Sequence, residues 1–174
     1  ADVVALYPSI PIDLGLETVA DFCRARAVLP PADLDLVLSL MAWVLNNNYT
    51  TFNSVIYQQI KGTAMGTPLA VVYANLFLAA IELPILATTP STLYFRYIDD
   101  IFAVMPASSS RTFVDKFDSF CESITLDAVT TGDSGIFLDL RITLETSGKF
   151  SHCIYQKPGN IYQYIPPLSR HHPT

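Results

Sequence analysis

Three aspartates have the side chain and the sequence context to bind a metal ion. Asp99 and Asp100 lie at the centre of the otherwise apolar run RYIDDIFAV, and Asp2 begins the apolar run DVVAL. An unpaired carboxylate is costly to bury, so the paired acids must be exposed at a turn or neutralised by a cation. Oxygen-only ligands favour Mg²⁺, with Mn²⁺ as a second choice.

The proposed metal site depends on Asp2 and Asp99 facing one another across neighbouring strands. Two carboxylates about 4 Å apart repel by about 4 kcal/mol at an effective dielectric constant of about 20, so such a pair favours a cation between them. Adjacent strand residues point to opposite faces of a sheet. We therefore expect Asp99 to be the primary ligand and Asp100 to be secondary unless the turn rotates one of them.

The first half of the chain shows one short strand, two helices, a hairpin and a long apolar helix. Residues 2–6 form the strand candidate, and the hairpin is predicted around Asn53 and Ser54. The apolar helix is predicted to begin with Thr67 as its N-cap and to end near Pro84.

The second half shows a strand pair, a helix, a strand and a hairpin. TLYFRY and IFAVM are the strand pair, with IDD between them, and Ser109 or Ser110 is predicted to cap the helix that follows. FLDLRITLE and KFSHCIYQ are predicted to pair around Ser147 and Gly148. The element order predicts an α+β fold of the split βαβ (ferredoxin-like) type, with helices packed on one face of an antiparallel sheet.

Composition limits the class of protein. The 174 residues are 51% hydrophobic and 15% charged, which suits one compact domain. A net charge of −6 argues against binding nucleic acid by bulk charge, so any such role must be local or shared with other parts. The three widely spaced cysteines suggest neither a disulfide framework nor a zinc site, and favour a reducing compartment. No secretory signal is visible, and the chain looks like an excised piece of a longer protein.

Residues 64–81 contain no charge and are nearly long enough to cross a bilayer. Asn75 interrupts the stretch, and Glu82 and Pro84 follow it. We interpret it as a buried core helix and expect no membrane association.

Four ordered motifs resemble those of reverse transcriptase palm domains, most closely those of Penelope-like retroelements. They are DVVALYPSIP, GTAMGTPLAVVYANLFLA, RYIDDIFAV and FLDLRI. The closing YQKPGNIYQYIPPLSRHHP is similar to the segment that follows the palm in that group. The resemblance implies a palm over residues 1–145, and a post-palm hairpin and start of the connection to the thumb over residues 146–174.

The resemblance implies an RNA-directed DNA polymerase that uses two metal ions to transfer a dNTP to a primer 3′-hydroxyl. Asp2, Asp99 and Asp100 would be catalytic and would bind Mg²⁺ or Mn²⁺, with the carbonyl of Val3 as a further ligand. The partners would be an RNA template, a DNA primer and dNTPs, and the site of action would be intracellular and nuclear.

Substrate-binding positions are also implied by the resemblance. Tyr7 occupies the position where similar enzymes carry a bulky aromatic under the incoming sugar, which would exclude a ribose 2′-hydroxyl. Without the resemblance, the sequence favours Tyr7 as a residue that packs at a strand end. Tyr97 would lie near the primer end, or pack within the hairpin.

The glycine loop, residues 61–68, corresponds to the second motif. Gly62, Met65, Gly66, Thr67 and Pro68 would lie against the nascent base pair, although Gly and Pro also suit a plain helix entry.

Two polar residues near these motifs have open roles. Asn75 could orient the nucleotide or bond neighbouring backbone. Arg96 is expected to balance local negative charge rather than to contact substrate.

Fingers, thumb and a possible endonuclease are not encoded in these residues, so we expect the isolated chain to polymerise poorly or not at all. Two alternatives stay open. One is an RNA-dependent RNA polymerase with the same palm. The other is an inactive or domesticated domain that acts as a scaffold or binds nucleic acid.

Overall fold

The computed structural model describes residues 1–27, 29–127 and 129–159, so most of the closing segment predicted to follow the palm lies outside the described residues. The chain divides into two compact units, Ala1–Gly132 and Asp133–Thr174. This division falls earlier than the predicted boundary at residue 145. The assignment of the two parts to a palm and a post-palm segment stays a prediction.

The described residues contain helices and antiparallel strands, which confirms the predicted α+β class. The helices are α1 (Leu6–Ser9), α2 (Ile12–Arg26), α3 (Pro31–Asn46), α4 (Pro68–Thr88) and α5 (Ala107–Asp118). The strands of the first unit are β1 (Asp2–Val3), β2 (Tyr49–Phe52), β3 (Val55–Gln58), β4 (Leu93–Tyr97), β5 (Asp100–Val104) and β6 (Leu126–Asp127). The strands of the second unit are β7 (Ser134–Phe137), β8 (Leu140–Leu144) and β9 (Phe150–Ile154).

The main sheet of the first unit has the strand order β4-β5-β1-β6. Strand β1 is antiparallel to both of its neighbours: Asp2 pairs with Asp100 on one side and with Asp127 on the other. The predicted position of the first strand beside the central hairpin is therefore confirmed. Val3 and Ile101 are buried. Because side chains alternate along a strand, the residues next to them point to the opposite face.

Helix α4 supplies much of the core of the first unit. Its residues Tyr73, Phe77, Leu78 and Ile81 are buried with Leu45 of α3. Helix α4 is long and apolar enough to cross a membrane by length and composition, as a core helix also can be. The absence of membrane association stays a prediction.

The first strand is shorter than predicted. It ends at Val3 because Ala5 has a left-handed backbone (φ 44°), and α1 begins at Leu6. An extended strand cannot continue through a left-handed residue. Tyr7 therefore lies on a short helix and not at a strand end.

The prediction that α4 ends near Pro84 was wrong, since the helix continues to Thr88. Proline in a helix interior removes one hydrogen bond and crowds the preceding turn. Burial of Ile81 and Ile85 on either side of Pro84 offsets this cost.

The predicted cap of α5 was also wrong. The helix begins at Ala107 after Pro106, and the Ser110 amide donates to the Pro106 carbonyl (3.0 Å). Ser109 is buried inside the helix. Proline just before a helix already has a suitable φ, so the start does not need a serine side chain.

Strands β2 and β3 form the predicted hairpin, with Asn53 and Ser54 both in left-handed conformation (φ 50° and 62°) at its turn. Two such residues make the turn that fits the twist of a two-residue hairpin.

The second unit contains the sheet β7-β8-β9. The predicted pairing around Ser147 and Gly148 is confirmed by β8 and β9. However, FLDLRITLE is not one strand, because Leu138 has a left-handed backbone (φ 55°) and the chain reverses there to pair β7 with β8.

Candidate metal and nucleotide site

Strands β1 and β5 place Asp2 opposite Asp100, so the prediction that Asp2 faces Asp99 across the strands was wrong by one residue. Asp2 is the register partner of Asp100, and the Val3 amide donates to the Asp99 carbonyl (3.1 Å). Register partners on antiparallel strands share one face of the sheet. Asp2 is exposed while the Val3 side chain is 1% exposed, so Asp2 and Asp100 occupy the face away from the core.

Asp99 lies in the connection between β4 and β5 and not within a strand. Tyr97 pairs with Asp100, so Ile98 and Asp99 form a two-residue turn. The alternation rule that made Asp99 and Asp100 competitors for one face does not apply to a turn residue. The carboxylates of Asp99 and Asp100 can therefore both lie close enough to Asp2 to repel its negative charge.

The electrostatics of Asp2 reflect this crowding. Although Asp2 is an exposed residue, the partial loss of water around its carboxyl group raises its pKa, and the neighbouring carboxylates of Asp99 and Asp100 raise it further, with Asp99 the stronger of the two. A hydrogen bond from Val3 and the chain amino group oppose the shift. The ionised form of Asp2 is thus disfavoured, which is the condition that a bound cation relieves.

The acids are not assembled as a closed cluster. Within residues 1–27, 29–127 and 129–159, no three His, Cys, Asp or Glu side chains form a group that could hold a metal ion as they stand. The donor set is nevertheless all oxygen, and Asp2 is exposed and able to change rotamer. Oxygen donors are the ligand type that a hard divalent cation prefers, so cation binding by these acids stays a prediction that would require their side chains to rotate.

The face that carries the acids also carries aromatic side chains. Tyr97, the other register partner of Asp100, is 58% exposed, and Phe95 two residues earlier is 52% exposed. The alternative interpretation of Tyr97 as a packed core residue is therefore wrong. An exposed ring beside the acids can contact a base or a sugar.

Tyr7 and the glycine loop are in direct contact. The Thr63 amide donates to the Tyr7 carbonyl (2.8 Å). Gly62 has a left-handed backbone (φ 73°), and an added Cβ would lie 2.6 Å from the Pro8 carbonyl oxygen. Gly62 therefore packs on the helix that bears Tyr7, and its lack of a side chain serves that close approach.

The remaining predicted residues of the glycine loop lie on its outer part. Met65 is 74% exposed, Gly66 and Pro68 are exposed, and a Cβ at Gly66 would meet nothing within 4 Å. Thr67 precedes α4 as predicted, although its hydroxyl donates to the Ala64 carbonyl (3.1 Å) and does not cap the helix. These residues, unlike Gly62, are accessible to a ligand.

Asn75 and Arg96 contact each other. Arg96 Nη1 donates to Asn75 Oδ1, and the guanidinium forms a buried ion pair with Glu82. The expectation that Arg96 balances local negative charge agrees with this pair. The Asn75 side-chain oxygen accepts from the Arg96 side chain and not from neighbouring backbone, so Asn75 has a structural contact that differs from the predicted one.

Three residues near the site were not singled out from the sequence. Asp127 lies opposite Asp2 on β6, Thr63 joins the glycine loop to Tyr7, and Glu82 pairs with Arg96. Glu82 had a usable signal, because it is the only charged residue in α4 and a buried charge requires a partner. Asp127 and Thr63 had none, since only the tertiary register brings them to the site.

No family model, curated protein or solved structure matches this chain.

Proposed function

We propose that the chain is the palm region of a reverse transcriptase that transfers dNTPs to a primer 3′-hydroxyl. The observation that carries the proposal is the pairing of Asp2 with Asp100 beside Asp99 in the adjoining turn. Asp2 belongs to one motif of the sequence and Asp99 and Asp100 to another, and folding brings the two motifs to neighbouring strands of one sheet.

The strand order supports the same proposal. The antiparallel order β4-β5-β1-β6, with helices along the chain between β1 and β4 and between β5 and β6, matches the order expected of a split βαβ fold, and a polymerase palm is expected to have that architecture. In that order β1 and β5 are the two central strands. They carry Asp2 and Asp100, and Asp99 lies in the turn just before β5.

Asp2, Asp99 and Asp100, with the Val3 carbonyl, would hold Mg²⁺ or Mn²⁺. When bound, the cations would activate the primer 3′-hydroxyl and stabilise the pyrophosphate that leaves. The protein's own contribution is to hold carboxylates whose repulsion disfavours the cation-free state.

Tyr7 would set the sugar specificity. Its backbone is fixed by the Thr63 amide, and its side chain is half-buried against the core, so the ring is restrained. A restrained ring discriminates against an added 2′-hydroxyl better than a mobile one, because it cannot yield to the larger sugar.

A scaffold or nucleic-acid-binding role is the second candidate. It is favoured by the open arrangement of the acids, which do not form a closed metal cluster within the described residues. On this alternative the exposed Tyr97 and Phe95 would bind nucleic acid without chemistry.

The test is primer extension on an RNA template by a protein that carries this chain together with fingers and thumb. The proposal expects dNTP incorporation that requires Mg²⁺ and is abolished by Asp99→Asn, while Asp115→Asn, at an exposed acid on α5, retains activity. Incorporation that survives Asp99→Asn would contradict it. The absence of incorporation by a folded protein that still binds primer–template would favour the scaffold. The chain alone is expected to extend poorly.

A further inference from the structure

Arg96 is the centre of a buried polar network formed with Glu82, Tyr94, Asn75 and the Ile98 carbonyl. Its Nε donates to Glu82 Oε2 (2.8 Å) and its Nη2 donates to Glu82 Oε1 (3.0 Å), which makes a two-point ion pair. The Tyr94 hydroxyl also donates to Glu82 Oε2 (2.8 Å). The Arg96 and Glu82 side chains are only 10% and 7% exposed.

The other edge of the same guanidinium reaches the turn that carries Asp99. Arg96 Nη1 donates to the Ile98 carbonyl (3.0 Å) as well as to Asn75. Ile98 is a β-branched residue with a left-handed backbone (φ 58°), a conformation that costs free energy and persists only when its surroundings enforce it. The carbonyl that Arg96 binds belongs to the peptide group that joins Ile98 to Asp99.

We propose that Arg96 is a positioning residue that fixes the Ile98–Asp99 peptide, and thereby Asp99, relative to helix α4. The inference rests on the proposed cation-binding function of Asp99. Glu82 and Asn75 both belong to α4, so the network attaches the turn to the core helix and not to solvent-exposed groups. The turn that carries Asp99 is thus held beside β1 before any cation binds.

The chemistry of arginine suits this role. A guanidinium is planar and presents several N–H donors at fixed angles, so it can bind a carboxylate on one edge and carbonyl oxygens on another. A lysine ammonium keeps the charge, but all its donors are on one nitrogen, so it cannot form the two-point pair with Glu82 and also reach Asn75 and the Ile98 carbonyl from the other edge of a plane. A buried ion pair adds little net stability compared with apolar residues of similar size. The role of Arg96 is therefore better measured by the position of the turn than by the free energy of unfolding.

Amide hydrogen exchange in Arg96→Lys tests the positioning without any metal. The Val3 amide donates to the Asp99 carbonyl in the turn, whereas the Ile101 amide donates to the Ala1 carbonyl outside it (2.8 Å). If Arg96 fixes the turn, exchange at Val3 should become about tenfold faster or more, the effect of losing one charge-assisted hydrogen bond, with little change at Ile101.

Tyr94→Phe is the matched control, because it removes a hydrogen bond to Glu82 from the same network and leaves every contact of Arg96 intact. It should leave the Val3 exchange rate near that of the wild type. Equal acceleration at Val3 and Ile101 in Arg96→Lys, or acceleration at Val3 in Tyr94→Phe, would overturn the proposal in favour of a general structural role. If Arg96→Lys does not fold, the double variant Arg96→Gln with Glu82→Gln removes both charges of the buried ion pair, so neither is left unpaired. Its exchange rates at Val3 and Ile101 are then compared with those of the wild type in the same way.

Mn²⁺ affinity tests whether the position of the turn affects Asp99 as a metal ligand. Arg96→Lys is expected to weaken Mn²⁺ binding by about tenfold to a hundredfold, as loss of a group that orients a metal ligand commonly does. An unchanged affinity would overturn the connection to Asp99. A wild-type protein that binds no Mn²⁺ would count against the proposed function, and the exchange comparison would still decide whether Arg96 positions the turn.

Discussion

Asp2 and Asp100 are register partners on neighbouring antiparallel strands, and both lie on the sheet face opposite the buried Val3 and Ile101. Asp99, in the adjoining turn, adds a third carboxylate to the same electrostatic environment. The fold therefore places three carboxylates close together on its main sheet, and the neighbouring charges, together with partial burial, raise the pKa of Asp2.

The substitution Asp2→Asn should raise the melting temperature of the metal-free protein at neutral pH. The folded-state pKa of Asp2 is raised, so the folded protein loses stability as pH rises through that pKa, and the penalty is absent below the unfolded pKa. The gain should be a few degrees at most, because charges this exposed interact by about 0–1 kcal/mol. Thermal unfolding in EDTA, scanned from acidic to neutral pH, measures it.

Asp115→Asn is the control for that measurement. Asp115 is an exposed acid on α5 and not on the strands or turn that carry Asp2, Asp99 and Asp100. Asp115→Asn should therefore leave the pH dependence of the melting temperature as it is in the wild type. An Asp2→Asn variant as stable as the wild type at every pH would show that the carboxylates do not repel measurably.

Gly62→Ala should destabilise the protein by about 2–4 kcal/mol, the sum of a left-handed backbone cost and an overpacked contact. The added Cβ would lie 2.6 Å from the Pro8 carbonyl oxygen and 2.7 Å from its carbon, and backbone cannot rotate away. Gly66→Ala is the matched comparison: its φ is also positive (92°) but nothing lies within 4 Å of the added Cβ. It should cost about 1–2 kcal/mol. Urea unfolding of both variants measures the difference, and equal losses would refute the contact with Pro8.

Much of the fold follows from local signals in the sequence. The Asn53–Ser54 hairpin, the start of α4 at Pro68 and the strands on either side of the acids were all predicted from turn chemistry and apolar pattern. These features depend on neighbouring residues, so a sequence contains the information that decides them.

The wrong predictions of secondary structure concern residues where long-range packing overrides the conformation that the neighbouring sequence favours. Leu138 has no sequence feature that favours a left-handed turn, yet the β7–β8 hairpin requires one there. Pro84 normally ends a helix, but burial on both sides retains it inside α4. Thr63 and Asp127 reach the site only through loop packing and strand register, which no single segment determines.

The variants Gly15→Ala and Tyr73→Phe should show opposite effects and strong coupling. Alanine usually stabilises a helix relative to glycine, but a Cβ at Gly15 in α2 would overlap the Tyr73 hydroxyl and lie 2.8 Å from Ile10 Cγ2. We expect Gly15→Ala to cost about 1–3 kcal/mol. Tyr73→Phe should be neutral or slightly stabilising, because the buried hydroxyl has no hydrogen-bond partner among the described residues.

The double variant, Gly15→Ala with Tyr73→Phe, should recover a large part of the loss. A double-mutant cycle by urea unfolding gives the coupling. Additive effects would show that the hydroxyl does not occupy the space beside Gly15.

Tyr7→Ala should increase use of rNTPs relative to dNTPs by about tenfold or more in a polymerase that carries this chain, because the restrained ring no longer excludes the 2′-hydroxyl. Tyr49→Ala, at an exposed aromatic on β2, serves as the control and should leave the ratio unchanged. The ratio of kcat/KM values for matched dNTP and rNTP substrates measures the effect. An unchanged ratio in Tyr7→Ala would remove Tyr7 from sugar selection.

The central claim is that Asp2, Asp99 and Asp100 bind a divalent cation, and Mn²⁺ titration of the purified chain by isothermal calorimetry tests it most directly. We expect saturable Mn²⁺ binding that Mg²⁺ competes away, that Asp99→Asn abolishes and that Asp115→Asn leaves intact. Saturable binding that is unaffected by Asp99→Asn, or no binding by the folded wild-type chain, would contradict the claim.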